Sequence, residues 1–304
     1  MPSNYIKNKA DGNYELLLSA LREKGLNCTD LMRNFSSAEK ELYLKEDTHW
    51  SYEGALFAYN SMMKQAGEEE HMLEGVEFEA RNDKTGDLAQ MLYAERAKLS
   101  EEYYPLMDFD YETVSHEKAA NSLFLATYCE KGAGNLVMYR DSYLDTMHVY
   151  CAESFENAVF SRTLPFDLSL ADEYAADLTV LEIVERNIPE LAERAPLMEA
   201  PEVTFSASAQ KAGDGMISLK SEEKGGYIHF YGEIDEKLLS SSYEAYIYVG
   251  GDKAATYKAF PIYEKELLGK EKAGDNGFSA YIPADACGSD VHVIVVSGGN
   301  NYIN

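Results

Sequence analysis

The sequence predicts an α/β domain, a three-layer arrangement with a parallel sheet flanked by helices, followed by a small antiparallel β-sandwich domain. Three observations lead there. Between residues 135 and 187, short apolar runs alternate with a stretch of helical spacing, the succession that builds right-handed βαβ crossovers and a buried parallel sheet. Beyond residue 202 the texture changes to short β-rich runs separated by Gly, Asp and Ser clusters. Arginine stops at Arg194, and residues 203–304 hold 9 Lys and no Arg. The change falls in "RAPLMEAPE", where Pro196 and Pro201 disfavour helix and suggest a linker. Residues 1–200 therefore read as one domain and 201–304 as a second, β-rich accessory domain.

The elements follow in order. "NYELLLSALREKG" has the spacing of an amphipathic helix ended by Gly25. "SYEGALFAYNSMMKQAG" reads as another, with Ser51 as its N-cap and Ala55, Tyr59, Met62 and Met63 along one face. "GNLVMY" suits a buried parallel strand, "DSYLDTMHVYCAESF" a helix, "NAVFSR" a second strand, and "DLTVLEIVERN" a third with a helical exit. In the second domain, "YIHFYGEI", "YEAYIYVGG", "GFSAYIPA" and "VHVIVVSGG" read as antiparallel strands.

Composition narrows the function classes. At 304 residues, with 45% hydrophobic and 12% aromatic residues, the chain is globular and long enough for two domains. A formal net charge of -26 opposes binding to nucleic acid and to anionic membrane surfaces. No apolar run approaches the length that spans a bilayer, and residues 1–30 lack the pattern of a signal peptide, so the chain reads as soluble as it stands or as the trimmed ectodomain of a bacterial extracellular or cell-surface protein. Cys28, Cys129, Cys151 and Cys287 show no metal-ligand spacing; free thiols and a disulfide both fit them.

The chemistry concentrates in two stretches. "YLKEDTHWSYEGA" places Asp47 two residues before His49, beside the single tryptophan, Trp50, in what reads as a strand end running into a helix. Side chains two apart in an extended segment share a side, so Asp47 can hold one imidazole nitrogen and leave the other free as a general base. The same spacing also occurs in surface turns and in metal sites, where Asp141 or Asp145 would complete the ligands. "LVMYRDSYLD" puts Arg140, Asp141 and Ser142 at the carboxyl end of a strand, the useful edge of such a sheet. Ser142 there is either an N-cap or a nucleophile at a helix start whose N–H groups can hold an oxyanion. The surroundings are not the G-x-S-x-G elbow. Trp50 suits packing between helix and sheet or a sugar-stacking platform. Arg140 and Arg162 suit a substrate carboxylate or pairing with the domain's own acids.

"DTHWSYEGA", then "TGDLAQML", "LVMYRDSYLDTMHVYCAESFENAVFSR" and "DLTVLEIVERNIPEL", taken in that order, resemble the DHHW family of SGNH-hydrolase-like proteins, related to the alginate O-acetyltransferase proteins. The resemblance covers roughly residues 1–200 and implies an SGNH-like fold. It implies a triad of Ser142, His49 and Asp47, in permuted chain order, with Gly86 as a candidate second oxyanion donor. That family has a strand ahead of the region beginning at "MPSNY", so the chain reads as short at its N-terminus. The resemblance further implies O-acetyl transfer or removal on an extracellular polysaccharide or cell-wall glycan without metal or cofactor, and a membrane acyl-transfer protein as a partner. A catalytically inactive glycan-binding protein on the same scaffold is the alternative.

Overall fold

The computed structural model describes residues 12–93, 97–251, 254–262 and 276–304, so the expectation about the chain start lies outside the described residues. Two compact units divide the chain: one reaches to Thr163 and includes Leu170–Ile188, and the other holds Leu164–Ser169 and Pro189 onward. The division thus falls before the Pro196–Pro201 stretch instead of at it. The reason is local. Leu168 N–H donates to Leu197 O and Leu197 N–H to Phe166 O, which ties both segments into the second unit.

The first unit contains α1 (Asn13–Glu23), α2 (Leu31–Ser36), α3 (Tyr52–Ala66), β1 (Phe78–Lys84), α4 (Asp87–Tyr93), β2 (Ser100–Pro105), β3 (Glu112–Thr113), β4 (Phe124–Tyr128), β5 (Asn135–Tyr139), α5 (Leu144–Ser154), β6 (Asn157–Ser161), α6 (Leu170–Glu173) and β7 (Leu178–Leu181). The expected cap of α3 forms: Ser51 Oγ accepts the Gly54 N–H at 3.1 Å, and Gly67 closes the helix in the left-handed region. Its apolar face, Ala55, Tyr59, Met62 and Met63, is buried against α5 and against Leu136, Met138, Ala158 and Phe160 of β5 and β6. Alternation along β5 sends Leu136 and Met138 into this cluster, which fixes the register of the strand that carries the site.

The sheet corrects the expectation of an all-parallel arrangement. Its strand order is β3-β4-β6-β5-β7; β6, β5 and β7 are parallel, while β4 runs antiparallel to β6 and β3 to β4. The loop from β4 to β5, Cys129 to Gly134, is shorter than the dozen or so residues a parallel crossover takes, so β4 must run the other way. β1 and β2 form a separate antiparallel pair.

After α7 (Ile188–Glu193), the second unit is built from β8 (Glu202–Val203), β9 (Gln210–Lys211), β10 (Lys220–Lys224), β11 (Tyr227–Glu233), β12 (Tyr243–Val249), β13 (Ala255–Ile262), β14 (Gly277–Pro283), β15 (Val291–Ser297) and β16 (Asn300–Ile303). Hydrogen bonds join all nine strands in one continuous network. β13 makes the bridge, pairing with β12 through Ala255–Ala259 and with β14 through Phe260–Ile262. The β10–β11 and β15–β16 hairpins turn on Gly225–Gly226 and Gly298–Gly299, all with positive φ, the backbone that two-residue hairpin loops require. Phe230, Ile247, Phe278, Ile282 and Val295 lie in its buried core. Among the described residues, no helix is long and apolar enough to cross a membrane.

Candidate active site

Residues 43–50 do not form the strand end that the sequence suggests. They form a loop closed by a single bridge between Tyr43 and Trp50. Asp47 and His49 meet through turn geometry: Asp47 Oδ1 accepts the His49 N–H at 2.9 Å and also lies 2.7 Å from His49 Nδ1. One carboxylate oxygen therefore holds both the backbone and the ring of the same histidine. Asp47 is buried, and burial raises its carboxyl. The hydrogen bonds from His49 and from the Asp87 N–H outweigh this and leave it below the usual aspartate range.

The other imidazole nitrogen faces the second stretch. His49 Nε2 lies 2.9 Å from Ser142 Oγ. Ser142 follows β5 in a turn that precedes α5, at the carboxyl edge of the three parallel strands. The Asp141 side chain, and not that of Ser142, accepts the backbone N–H that ties this turn. Its Oδ1 accepts the Tyr143 N–H at 2.9 Å, and its Oδ2 accepts from Val184 N at 2.8 Å and Asn187 Nδ2 at 3.1 Å. Asp141 N–H in turn donates to Glu182 Oε2 at 3.1 Å. Burial, and then the charge of Asp141, push the Glu182 carboxyl up to about 8.

Three of the candidate site residues are engaged within the fold. Trp50 is only 3% exposed, stands edge-on to Tyr143 at 5.0 Å, and donates its indole N–H to Tyr143 O and Thr146 Oγ1, so it offers no face to a sugar. Arg140 is 2% exposed, and its guanidinium is used within the fold, on the carbonyls of Ala120, Ser122 and Asp141 and on the Asp145 carboxylate. Gly86 sits against the backbone of Glu46 and Asp47; a Cβ there would stand 2.0 Å from the Glu46 carbonyl oxygen. That is the Asp47 end of the relay. An oxyanion donor must stand at the Ser142 end. Arg162, at the end of β6, keeps 34% of its side chain exposed, 4.0 Å from Asp145.

Sequence reasoning missed Asp87, Tyr143 and Glu182, and read Asp141 only as a possible metal ligand beside Ser142. Tyr143 adjoins Ser142 in the quoted stretch; its ring lies 4.9 Å from that of His49, and its hydroxyl donates to Thr48 O. Asp87 and Glu182 fall within the quoted "TGDLAQML" and "DLTVLEIVERNIPEL", but their roles arise only when distant segments meet. Ligand atoms of Asp47, His49 and Asp87 lie within 4.8 Å of one another, one of two groups among the described residues that could hold a metal. Each is already engaged: Asp47 and His49 with one another, and the Asp87 carboxylate with the Thr48 N–H and hydroxyl. Asp141 and Asp145, the expected further ligands, are turned to Val184 N, Asn187 and Arg140.

Residues 1–130 match the family described as SGNH hydrolase-like domain, acetyltransferase AlgX; the match spans Asp47, His49 and Gly86 and ends before Ser142. No curated protein matches the chain. Among solved structures, a DHHW family protein from Eubacterium siraeum is 14% identical, with a TM-score of 0.49, covering 62% of this chain and 74% of that one. Bacillus cereus PatB1 with a sulfonyl adduct is 13% identical, with a TM-score of 0.47 and coverage of 62% and 76%. The O-acetyltransferase domain of Pseudomonas putida AlgJ is 15% identical, with a TM-score of 0.37 and coverage of 62% and 69%. Through residues 1–130, the chain is similar to the SGNH hydrolase-like domain of the acetyltransferase AlgX family, the group to which the resemblance in its sequence points.

Proposed function

We propose that this protein is a serine-dependent enzyme that transfers or removes O-acetyl groups on an extracellular polysaccharide or cell-wall glycan. The observation that carries the reading is the hydrogen-bonded line from Asp47 through His49 to Ser142. Ser142 Oγ attacks the acetyl carbonyl as His49 Nε2 takes its proton, and the Ser142 N–H steadies the oxyanion. The C–O bond to the donor breaks, and His49 returns the proton to the departing oxygen. The acetyl group on Ser142 then passes to a sugar hydroxyl, or to water, with His49 again taking and returning one proton. Asp47 holds the imidazole and balances its charge while it is protonated. No metal or cofactor takes part in these steps.

Residues 1–200 carry the chemistry in this reading, and 201–304 serve as the accessory unit that holds glycan. Arg162 is the remaining candidate for an acidic group on the substrate. A membrane acyl-transfer protein is the expected donor. The test is an intact-mass shift after treatment with a serine-directed fluorophosphonate, together with acetyl release from a chromogenic ester. Labelling and turnover that both vanish in Ser142→Ala support the reading. A protein that binds glycan with neither labelling nor turnover would be the inactive alternative.

A further inference from the structure

Asp87 stands outside the relay of Asp47, His49 and Ser142, yet it is tied to that relay from three directions. Its Oδ1 accepts the Thr48 N–H at 2.8 Å. Its Oδ2 accepts the Thr48 hydroxyl and lies 3.7 Å from His49 Nδ1. Its own N–H donates to Asp47 Oδ2 at 3.1 Å. Two carboxylates therefore face one imidazole nitrogen. The inner one belongs to Asp47, with 4% of its side chain exposed, and the outer one to Asp87, with 37% exposed.

The first turn of α4, which carries Asp87, is locked to the loop that carries His49. Ala89 N–H donates to Glu46 O at 3.2 Å, and Gly86 is a glycine because Glu46 O occupies the place of its Cβ. Asp87 cannot drift from His49 without breaking these contacts. When His49 takes the Ser142 proton, the imidazolium faces Asp47 and Asp87 on its Nδ1 side, and Ser142 and the Tyr143 ring on the other. A second carboxylate at this distance still attracts that charge, and it is placed to accept the Nδ1–H once Asp47 is gone.

We propose that Asp87 is a positioning residue for the acyl-transfer reaction, a reserve acceptor that fixes Asp47 and Thr48 and takes over the His49 Nδ1–H when the Asp47 carboxylate is removed. This rests on Ser142 being the nucleophile. The test follows the rate of fluorophosphonate labelling at Ser142, by intact mass, in the wild type, Asp87→Asn, Asp47→Ala and the double variant, with acetyl-ester turnover alongside. Asp87→Asn alone slows labelling only a few-fold. Asp47→Ala stays well above His49→Ala, and the double variant falls to the His49→Ala level. The loss from Asp87→Asn is therefore roughly tenfold or more greater without Asp47 than with it, within the range of coupling that contacting residues show. A packing role alone would lower the unfolding midpoint and leave the two losses equal.

Equal losses with and without Asp47, or none, overturn the proposal. Should Asp87→Asn fail to fold, Asp87→Ser keeps an oxygen for the Thr48 N–H without the charge and permits the same comparison. Labelling that is abolished by Ser142→Ala and His49→Ala but indifferent to Asp87 sinks this inference alone. Labelling that persists in Ser142→Ala sinks the serine reading with it.

Discussion

His49 Nε2 and Ser142 Oγ stand 2.9 Å apart although 93 residues separate them in the chain. Two reciprocal hydrogen bonds hold that distance. Tyr143 hydroxyl donates across to Thr48 O, and Trp50 indole N–H donates back to Tyr143 O at 2.9 Å. The residues on either side of His49, Thr48 through its backbone and Trp50 through its indole, are thereby fastened to the residue after Ser142. An aromatic residue directly beside each reacting group does the fastening, so the site is positioned by the residues that flank it and not by the sheet alone.

If Ser142 is the nucleophile, Ser142→Ala removes the atom that forms the acetyl-enzyme, and turnover of an acetyl ester falls by several orders of magnitude. The residue of activity is at most the roughly 10³ to 10⁴-fold over water that binding and oxyanion contacts supply. His49→Ala costs about as much, and the double variant hardly more, because the pair acts as a unit. Steady-state kinetics on the four proteins decides it. Independent, multiplying losses would mean that the two residues do not share a step.

Trp50 provides a test that separates structure from sugar binding. Trp50→Phe keeps most of the buried ring but strips the donor from Tyr143 O and Thr146 Oγ1, at a cost of about 1–3 kcal/mol of stability. Trp50→Ala costs about 3–5 kcal/mol, as for other buried aromatic residues. Denaturant unfolding measures both. Glycan affinity is unchanged in Trp50→Phe if the ring only packs; a large loss of affinity in a protein of near-normal stability would restore the sugar platform.

The parts of the fold that were legible in the sequence are those fixed by local rules. The α3 cap at Ser51, its buried face, and the β5-α5-β6 succession follow from capping chemistry and period. The pairing of Asp47 with His49 was also legible, although through the wrong backbone: spacing in an extended strand and an aspartate-capped turn both bring the two side chains together. β4 was not legible as antiparallel, because strand direction depends on the length of the loop that follows, not on the strand's own residues. Arg140 and Trp50 were each left with two readings for a related reason. A charged or aromatic side chain beside a nucleophile looks the same in sequence whether it points to substrate or into the fold, and only the carbonyls of Ala120, Ser122 and Tyr143 decide between them.

Gly86→Ala tests the lock between the start of α4 and the loop that carries His49. The added Cβ would stand 2.0 Å from the Glu46 carbonyl oxygen, a backbone atom that cannot turn aside. Relief requires the start of α4, which holds Asp87, to move away from Asp47, which breaks the Asp87 N–H to Asp47 Oδ2 bond. Acetyl-ester turnover falls by about 10²-fold, as expected of an ångström-scale displacement of the catalytic geometry, while circular dichroism shows the fold retained. Near-normal turnover would mean that the relay does not depend on this contact.

Glu182 sets the pH dependence expected beneath the Ser142 turn. Its carboxyl is raised from 4.5 to about 8, by burial and then by the neighbouring Asp141 charge, while its Oε2 accepts the Asp141 N–H. A carboxyl whose pKa is higher in the folded chain than in the unfolded one contributes stability that is fully present below the unfolded value. That stability is lost as pH rises through the folded value. Between pH 4.5 and about 8, then, this group alone makes the protein progressively less stable as pH increases. The lowered Asp47 carboxyl acts in the opposite sense and at acid pH, where its contribution disappears as pH falls. Glu182→Gln keeps an oxygen for the Asp141 N–H and cannot ionise, so its unfolding midpoint should vary less across this window than that of the wild type, with the two curves diverging most above pH 8. Thermal unfolding at a series of pH values measures the difference. Parallel curves would mean that Glu182 is already ionised at the low end of the window, and that the turn carrying Ser142 rests on a carboxylate pair with no proton between them.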